Sequence, residues 1–226
     1  MKIKLQKQNG FSLIELMIAI LIGLIVLAAT ITIYITAIKG SSDTMKSAQL
    51  NQDLGVAVTI ITNDLRRAGF WSGAVVGANS INNPFMVSGS TNLAVYDADS
   101  CIVYSYDADR DGSIMHYGFK LNAGTIEMKT SGATTANCDD GVWVDMLDSA
   151  QVNIRVLTFQ LTESQCFNKT TKLASTGLCV LSAGETGVEI RNIVINLEGE
   201  AKADASIKTK LQTTVTVRNN RIIALP

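Results

Sequence analysis

The feature that most constrains this chain is a short basic leader, MKIKLQKQNG, running without a break into FSLIELMIAILIGLIVLAATITIYITAI. Of the 28 residues from 11 to 38, 22 are hydrophobic. No formal charge occurs in the 23 residues from Leu16 to Ile38. As a helix at about 1.5 Å per residue, that stretch reaches ~35 Å, enough to cross the hydrocarbon of a bilayer. No A-x-A-like cleavage site follows it closely, so it reads as a transmembrane helix rather than a removed secretory signal. Lys2, Lys4 and Lys7 hold the N-terminus in the cytoplasm by the positive-inside tendency, which sends the long remainder across the membrane.

The apolar excess is local. Hydrophobic residues make up 47% of the whole chain, but from Lys39 onward they fall to roughly 43%, an ordinary globular value. No second stretch approaches the ~20 apolar residues of another span, which excludes a polytopic membrane protein. Charge is nearly balanced, with 19 Lys+Arg against 20 Asp+Glu, and removing the three leader lysines from the 19 leaves 16. Such a body repels phosphate, so direct nucleic-acid binding through bulk charge is not expected.

Downstream, Leu54, Val58, Ile61, Leu65 and Ala68 recur at helical spacing, and no proline interrupts residues 11–69. The helix is therefore expected to continue through 39–69 as an amphipathic half and to stop at Gly69, behind the basic pair Arg66-Arg67, which suits the negative end of the helix dipole. A loop rich in Gly, Ala, Asn and Ser follows over Phe70–Pro84. Beyond it come runs rich in Val, Ile, Tyr and Thr: Leu93–Tyr96, Ile102–Tyr106, Met115–Leu121, Thr125–Lys129, Val142–Leu147, Val152–Leu161, Val188–Leu197 and Lys208–Arg218. These read as antiparallel strands, which gives an α+β chain with a long N-terminal helix packed on a sheet. The expected divisions are 1–10 leader, 11–38 membrane or filament-core helix, 39–69 amphipathic continuation and 70–226 β-rich domain.

Glu15 is the one acid inside the apolar run. A carboxylate there is costly and calls for a partner. Taken together, Gly10-Phe11-Ser12-Leu13-Ile14-Glu15 after a Lys-rich leader resembles the class III signal of type IV pilins and of type II secretion pseudopilins. That resemblance implies cutting by a membrane prepilin peptidase between Gly10 and Phe11, N-methylation of Phe11, and a role for Glu15 in assembly. The physical logic is that Glu15 of one subunit neutralises the Phe11 amine of a neighbour, which offsets two buried charges and fixes the axial register. The run Asp64-Leu65-Arg66-Arg67-Ala68-Gly69-Phe70 also resembles the helix end of PilW-type minor pilins, relatives of the J-type minor pseudopilins. The resemblance implies a pilin-like fold, other minor and major pilins as partners, the inner membrane as anchor and a periplasmic domain.

Cys101, Cys138, Cys166 and Cys179 all lie in the part expected to be exported, where disulfides persist. Four cysteines allow three pairings, and the intervals favour Cys101–Cys138 and Cys166–Cys179, the second stapling a loop around Asn168–Gly177. Asp107, Asp109, Asp111 and Gly112 match the opening of a calcium loop. Asp97, Asp99 and Asp139 are candidate additional ligands for Ca2+. However, Gly118 stands where an EF-hand needs its Glu, and Tyr104-Ser105-Tyr106 before the run and Met115–Phe119 after it suggest a hairpin turn. No cofactor is otherwise expected.

The lone histidine, His116, lies on an expected strand, and no nucleophile elbow, phosphate loop or zinc-protease pair is present, so no enzyme is expected. The expected function is that of a minor pilin in a priming or tip complex of a type IV pilus, with motility, adhesion or DNA uptake as filament-level roles. The alternatives are a minor pseudopilin of type II secretion and, from another class, a membrane-anchored periplasmic binding module.

Overall fold

The computed structural model describes residue 10 and residues 12–74 and 80–225. The chain divides into two units, residues 1–45 and residues 46–226. One helix, α1 (Leu13–Leu65), runs through the boundary between them.

Within the first unit, residues 12–45 are exposed throughout. Apolar side chains lie on all sides of the helix rather than along one stripe, the pattern of a helix made to be surrounded by apolar material. By length and composition it can cross a membrane. Its threonines suit that setting, because their hydroxyls turn back onto helix carbonyls. Thr30 Oγ1 donates to Leu27 O at 2.9 Å, Thr32 Oγ1 to Ala28 O at 2.8 Å and Thr44 Oγ1 to Gly40 O at 2.8 Å.

In the second unit, α1 becomes one-sided. Leu50, Leu54, Ala57, Ile61 and Leu65 are buried, and Ala68 is buried just past the helix end. The expected face holds at Leu54, Ile61, Leu65 and Ala68 and differs at one position, where Ala57 is buried and Val58 only half-buried. Two 3-10 turns, Ser80–Asn82 and Pro84–Met86, precede the strands. The strands are β1 (Ala94–Tyr96), β2 (Cys101–Tyr106), β3 (Met115–Asn122), β4 (Thr125–Ser131), β5 (Val142–Asp145) and β6 (Val152–Gln160). After them come β7 (Gln165–Asn168), β8 (Leu173–Thr176), β9 (Thr186–Ile190), β10 (Asn192–Ala201), β11 (Asp204–Thr216) and β12 (Arg221–Ala224).

They form three antiparallel sheets: a meander β1-β2-β3-β4-β5, a three-stranded sheet β11-β10-β6, and a four-stranded sheet β12-β9-β7-β8. One apolar core joins the helix stripe to Ile102, Tyr104, Phe119 and Ile126 of the meander and to Ile154, Leu157, Ile193, Ile195, Leu197 and Val215 of the second sheet. Gly199 of β10 leaves the space that the Leu54 side chain fills; a Cβ there would stand 3.1 Å from it. The architecture is α+β, with a long N-terminal helix and antiparallel sheets.

Three expectations need correction. The helix ends at Leu65, and turns carry the chain to Gly69, whose φ of +72° favours glycine. The run read as one strand over Val188–Leu197 is two, β9 and β10, broken at the buried Arg191. The stretch read as a loop around Asn168–Gly177 contains most of the β7–β8 hairpin, and Cys166 itself lies on β7.

Candidate functional site

The motif residues at the N-terminus fall at the start of α1. Gly10 is exposed, and Phe11, the expected methylated terminus, lies outside the described residues. Leu16 N donates to Ser12 O at 3.1 Å, which sets the first turn, and Glu15 stands exposed in that turn. A carboxylate in the first turn is favoured by the helix dipole, so Glu15 is tolerated there before it meets any partner. Around it, Leu13 is 79% exposed and Ile14 66%, so an assembly contact here would cover apolar surface as well as charge.

At the other end of α1, sequence reasoning missed a polar cluster. Asp64 accepts hydrogen bonds from Tyr104 Oη at 2.5 Å and Tyr106 Oη at 2.7 Å, and lies 3.6 Å from Arg67 Nη1. Arg67 also rests over the Tyr106 ring at 4.3 Å, and Tyr106 stacks on Tyr117 at 4.3 Å. Burial, reinforced by Asp64, pushes the Tyr104 and Tyr106 phenols well above their ordinary range. The cluster fastens the last helical turn to β2. The sequence carries one faint signal for it, the alternation of Tyr104 and Tyr106 on a single strand face.

The Asp-rich run forms the turn between β2 and β3. Asp107 is buried, and its carboxylate accepts from Ser72 N at 3.1 Å, from Ser72 Oγ and from Gly112 N at 3.2 Å. These bonds, the Ser72 hydroxyl first, hold its pKa below the usual carboxylate value. Asp111 instead accepts from Ser113 N at 2.8 Å, and Asp109 is exposed. Among the described residues, the only grouping of three potential ligand atoms within 4.8 Å is Asp97 with Cys101 and Cys138. Those two sulfurs are bonded to each other. As arranged, the carboxylates of Asp107, Asp109 and Asp111 are not grouped: that of Asp107 organises the turn, and the other two do not converge with it. Asp97 and Asp99 belong to the β1–β2 turn, with positive φ, and Asp139 is not drawn to this run either.

Two disulfides, Cys101–Cys138 and Cys166–Cys179, join the local pairs. Cys138 lies on the segment between β4 and β5, which Lys129 also fastens. The Lys129 side chain is fully buried, with Nζ 3.3 Å from Asp140 Oδ2 and donating to Thr134 O at 3.1 Å. His116 sits near this segment on β3, with Nε2 3.2 Å from Ser90 O. Burial lowers its pKa and favours the neutral ring.

A further grouping escaped sequence reasoning because, apart from the adjacent Arg66 and Arg67, its members are far apart in the chain. Arg66 and Arg67 beyond the helix, Arg110 in the β2–β3 turn and Arg218 after β11 line one cleft.

Comparison with known proteins places this geometry in context. A family described as prepilin peptidase-dependent protein B matches residues 43–217, and the prokaryotic N-terminal methylation motif matches residues 5–31. No curated protein matches significantly. Among solved structures, a type IV-like pilin from Thermus thermophilus aligns at a TM-score of 0.41 and 11% identity, over 75% of this chain and 97% of its own.

Proposed function

The chain belongs to the prepilin peptidase-dependent protein B family, a pilin-like protein with an N-terminal methylation motif, and from that premise we propose that it is a minor pilin that takes part in assembling a type IV pilus. In this reading a prepilin peptidase cuts between Gly10 and Phe11, the Phe11 amine is methylated, and the apolar part of α1 anchors the chain in the inner membrane until it is drawn into a filament core. The second unit then stands on the periplasmic side and joins a priming or tip complex. Motility, adhesion or DNA uptake follow from the filament rather than from chemistry in this chain, so the work proposed is assembly and not catalysis.

The observation that carries the reading is the conjunction of the methylation motif with the exposed run of residues 12–45. An apolar helix bare on every side needs either lipid or neighbouring helices, and subunit assembly supplies the second after the first. Within it, Glu15 is the natural partner for the amine of a neighbouring Phe11, because the attraction between two charges paired in an apolar core offsets the desolvation penalty that each would bear alone.

Glu15→Ala tests this. The variant should still be processed and membrane-bound, yet be absent from filaments sheared from cells that carry wild-type partners. Normal entry of Glu15→Ala into filaments overturns the role of Glu15. Recovery of wild type only with a secretion complex, and never in sheared pili, assigns it instead to type II secretion, whose pseudopilins resemble pilins at every N-terminal feature.

A further inference from the structure

We propose that the arginine-lined cleft at the end of α1 is a docking site for an acidic peptide segment on a neighbouring protein subunit. This rests on the assembly reading above and goes further by assigning a second contact, distant in sequence from Glu15, and the chemistry of what fills it.

The charge in the cleft is concentrated and only partly compensated, four guanidinium groups standing against the carboxylates of Asp107 in the lining and Asp64 beside Arg67. Arg66, Arg110 and Arg218 are exposed, and among the described residues they form no ion pair. Arg67 shares Asp64 with two tyrosines. The one carboxylate in the lining, Asp107, already accepts from Ser72 and Gly112. Behind Asn219, which also lines the cleft, lies a fifth guanidinium. Arg191 is fully buried; its Nη2 donates to Asn219 O at 2.8 Å and its Nη1 to Asn92 Oδ1 at 2.9 Å, while its Nε has no partner. That cation is held in place by the fold, and the nearby buried Glu189 offsets part of its charge, so the four arginines at the mouth set the positive field.

The cleft is also preformed. Arg218 N donates to Arg66 O at 3.1 Å, Asn219 Nδ2 to Ala68 O at 3.1 Å, and Asp107 N to Phe70 O at 2.9 Å. These bonds stitch the helix end, the β2–β3 turn and the bend after β11 into one rim, so little ordering is needed on binding.

The shape of the charge selects the ligand. Guanidinium forks match carboxylates in bidentate geometry, and here they surround one bounded cleft rather than forming a stripe. The chain beyond the leader, cleft included, is net acidic, with 16 basic against 20 acidic residues once Lys2, Lys4 and Lys7 are removed from the 19. An extended phosphate backbone leaving the cleft would meet that like charge, whereas a short acidic segment would not extend into it.

The test uses the full chain in neutral detergent and a fluorescent hexaglutamate peptide read by anisotropy. Wild type should bind it, more weakly as salt rises. Arg110→Gln with Arg218→Gln should bind about ten-fold more weakly with an unchanged melting temperature, since loss of two charge-assisted pairs removes at least ~1.4 kcal/mol. Lys208→Gln with Lys210→Gln, on another face, should bind as wild type does. The proposal is overturned if wild type does not bind, if the arginine variant binds equally well, or if an oligothymidylate of equal charge binds more tightly than hexaglutamate. A chain correctly processed at Gly10 that fails this assay removes the cleft proposal and leaves the assembly reading standing.

Discussion

Ile25 and Ile61 belong to the same helix, yet Ile25 is 61% exposed and Ile61 is 0% exposed. Both are apolar residues in good helical context, and local propensity does not tell them apart. What differs is the company along the chain. Around Ile61, apolar residues alternate with Asn, Asp, Thr and Gln, so one face is defined and a sheet can cover it. Around Ile25 every neighbour is apolar, no face is defined, and the segment has nothing of its own fold to bury against. The contrast shows how one continuous helix can be a finished core element in one unit and an unfinished surface in the other, to be completed by lipid or by other subunits.

That contrast can be broken at several points. The largest effect should come from the crosslinks, which lie only in the second unit. Replacing Cys101 and Cys138 by Ser should cost about 4 kcal/mol, and replacing Cys166 and Cys179 about 3, in proportion to the loops they close. Thermal unfolding of the full chain in detergent checks the ranking, and an equal or reversed order would show that the Cys138 segment is held mainly by Lys129 and Asp140. Next, Ile61→Ala should lower stability by about 2–4 kcal/mol, because a filled core site becomes a cavity, while Ile25→Ala should leave the same melt within ~0.5 kcal/mol. A comparable loss from Ile25→Ala would mean that the exposed segment contributes to the fold of the body.

The smallest effect concerns pH. Tyr104 and Tyr106 have phenol pKa values raised in the fold, by burial first and by Asp64 next. Below the unfolded value near 10, both states are protonated and the contribution of these buried phenols is fully present. Above it, the unfolded chain releases protons that the fold retains, so stability should fall by about 1.4 kcal/mol per pH unit for each such tyrosine. Denaturant melts between pH 9 and 11 should show this decline, and Asp64→Asn should reduce it.

The sequence makes the order of helix and strands legible because period and composition change abruptly near Gly69. It misses β7, β8 and β12 for a physical reason: QCFN, LAST and RIIA are four-residue strands, and all of β8 is exposed, so no alternation can develop. It places Val58 where Ala57 is buried because a small residue on a helix carries little hydrophobic signal, yet its smallness permits close contact. The N-terminal motif is legible because its chemistry is contiguous in the chain. The arginine cleft is not, since only Arg66 and Arg67 are neighbours, and nothing in sequence announces that the turn carrying Arg110 and the end of β11 before Arg218 meet them. The Asp-rich run shows the converse. A contiguous pattern suggested a cation, but one inward carboxylate, Asp107, spends its lone pairs on Ser72 and Gly112.

The central claim is that residues 12–45 are an assembly surface of a chain processed at a pilin-type leader. Mass spectrometry of the N-terminal peptide, on the chain isolated from membranes of its host, tests it most directly. The account predicts a chain that begins at Phe11 with a methylated α-amine; a chain that retains Met1 and the intact leader would contradict it.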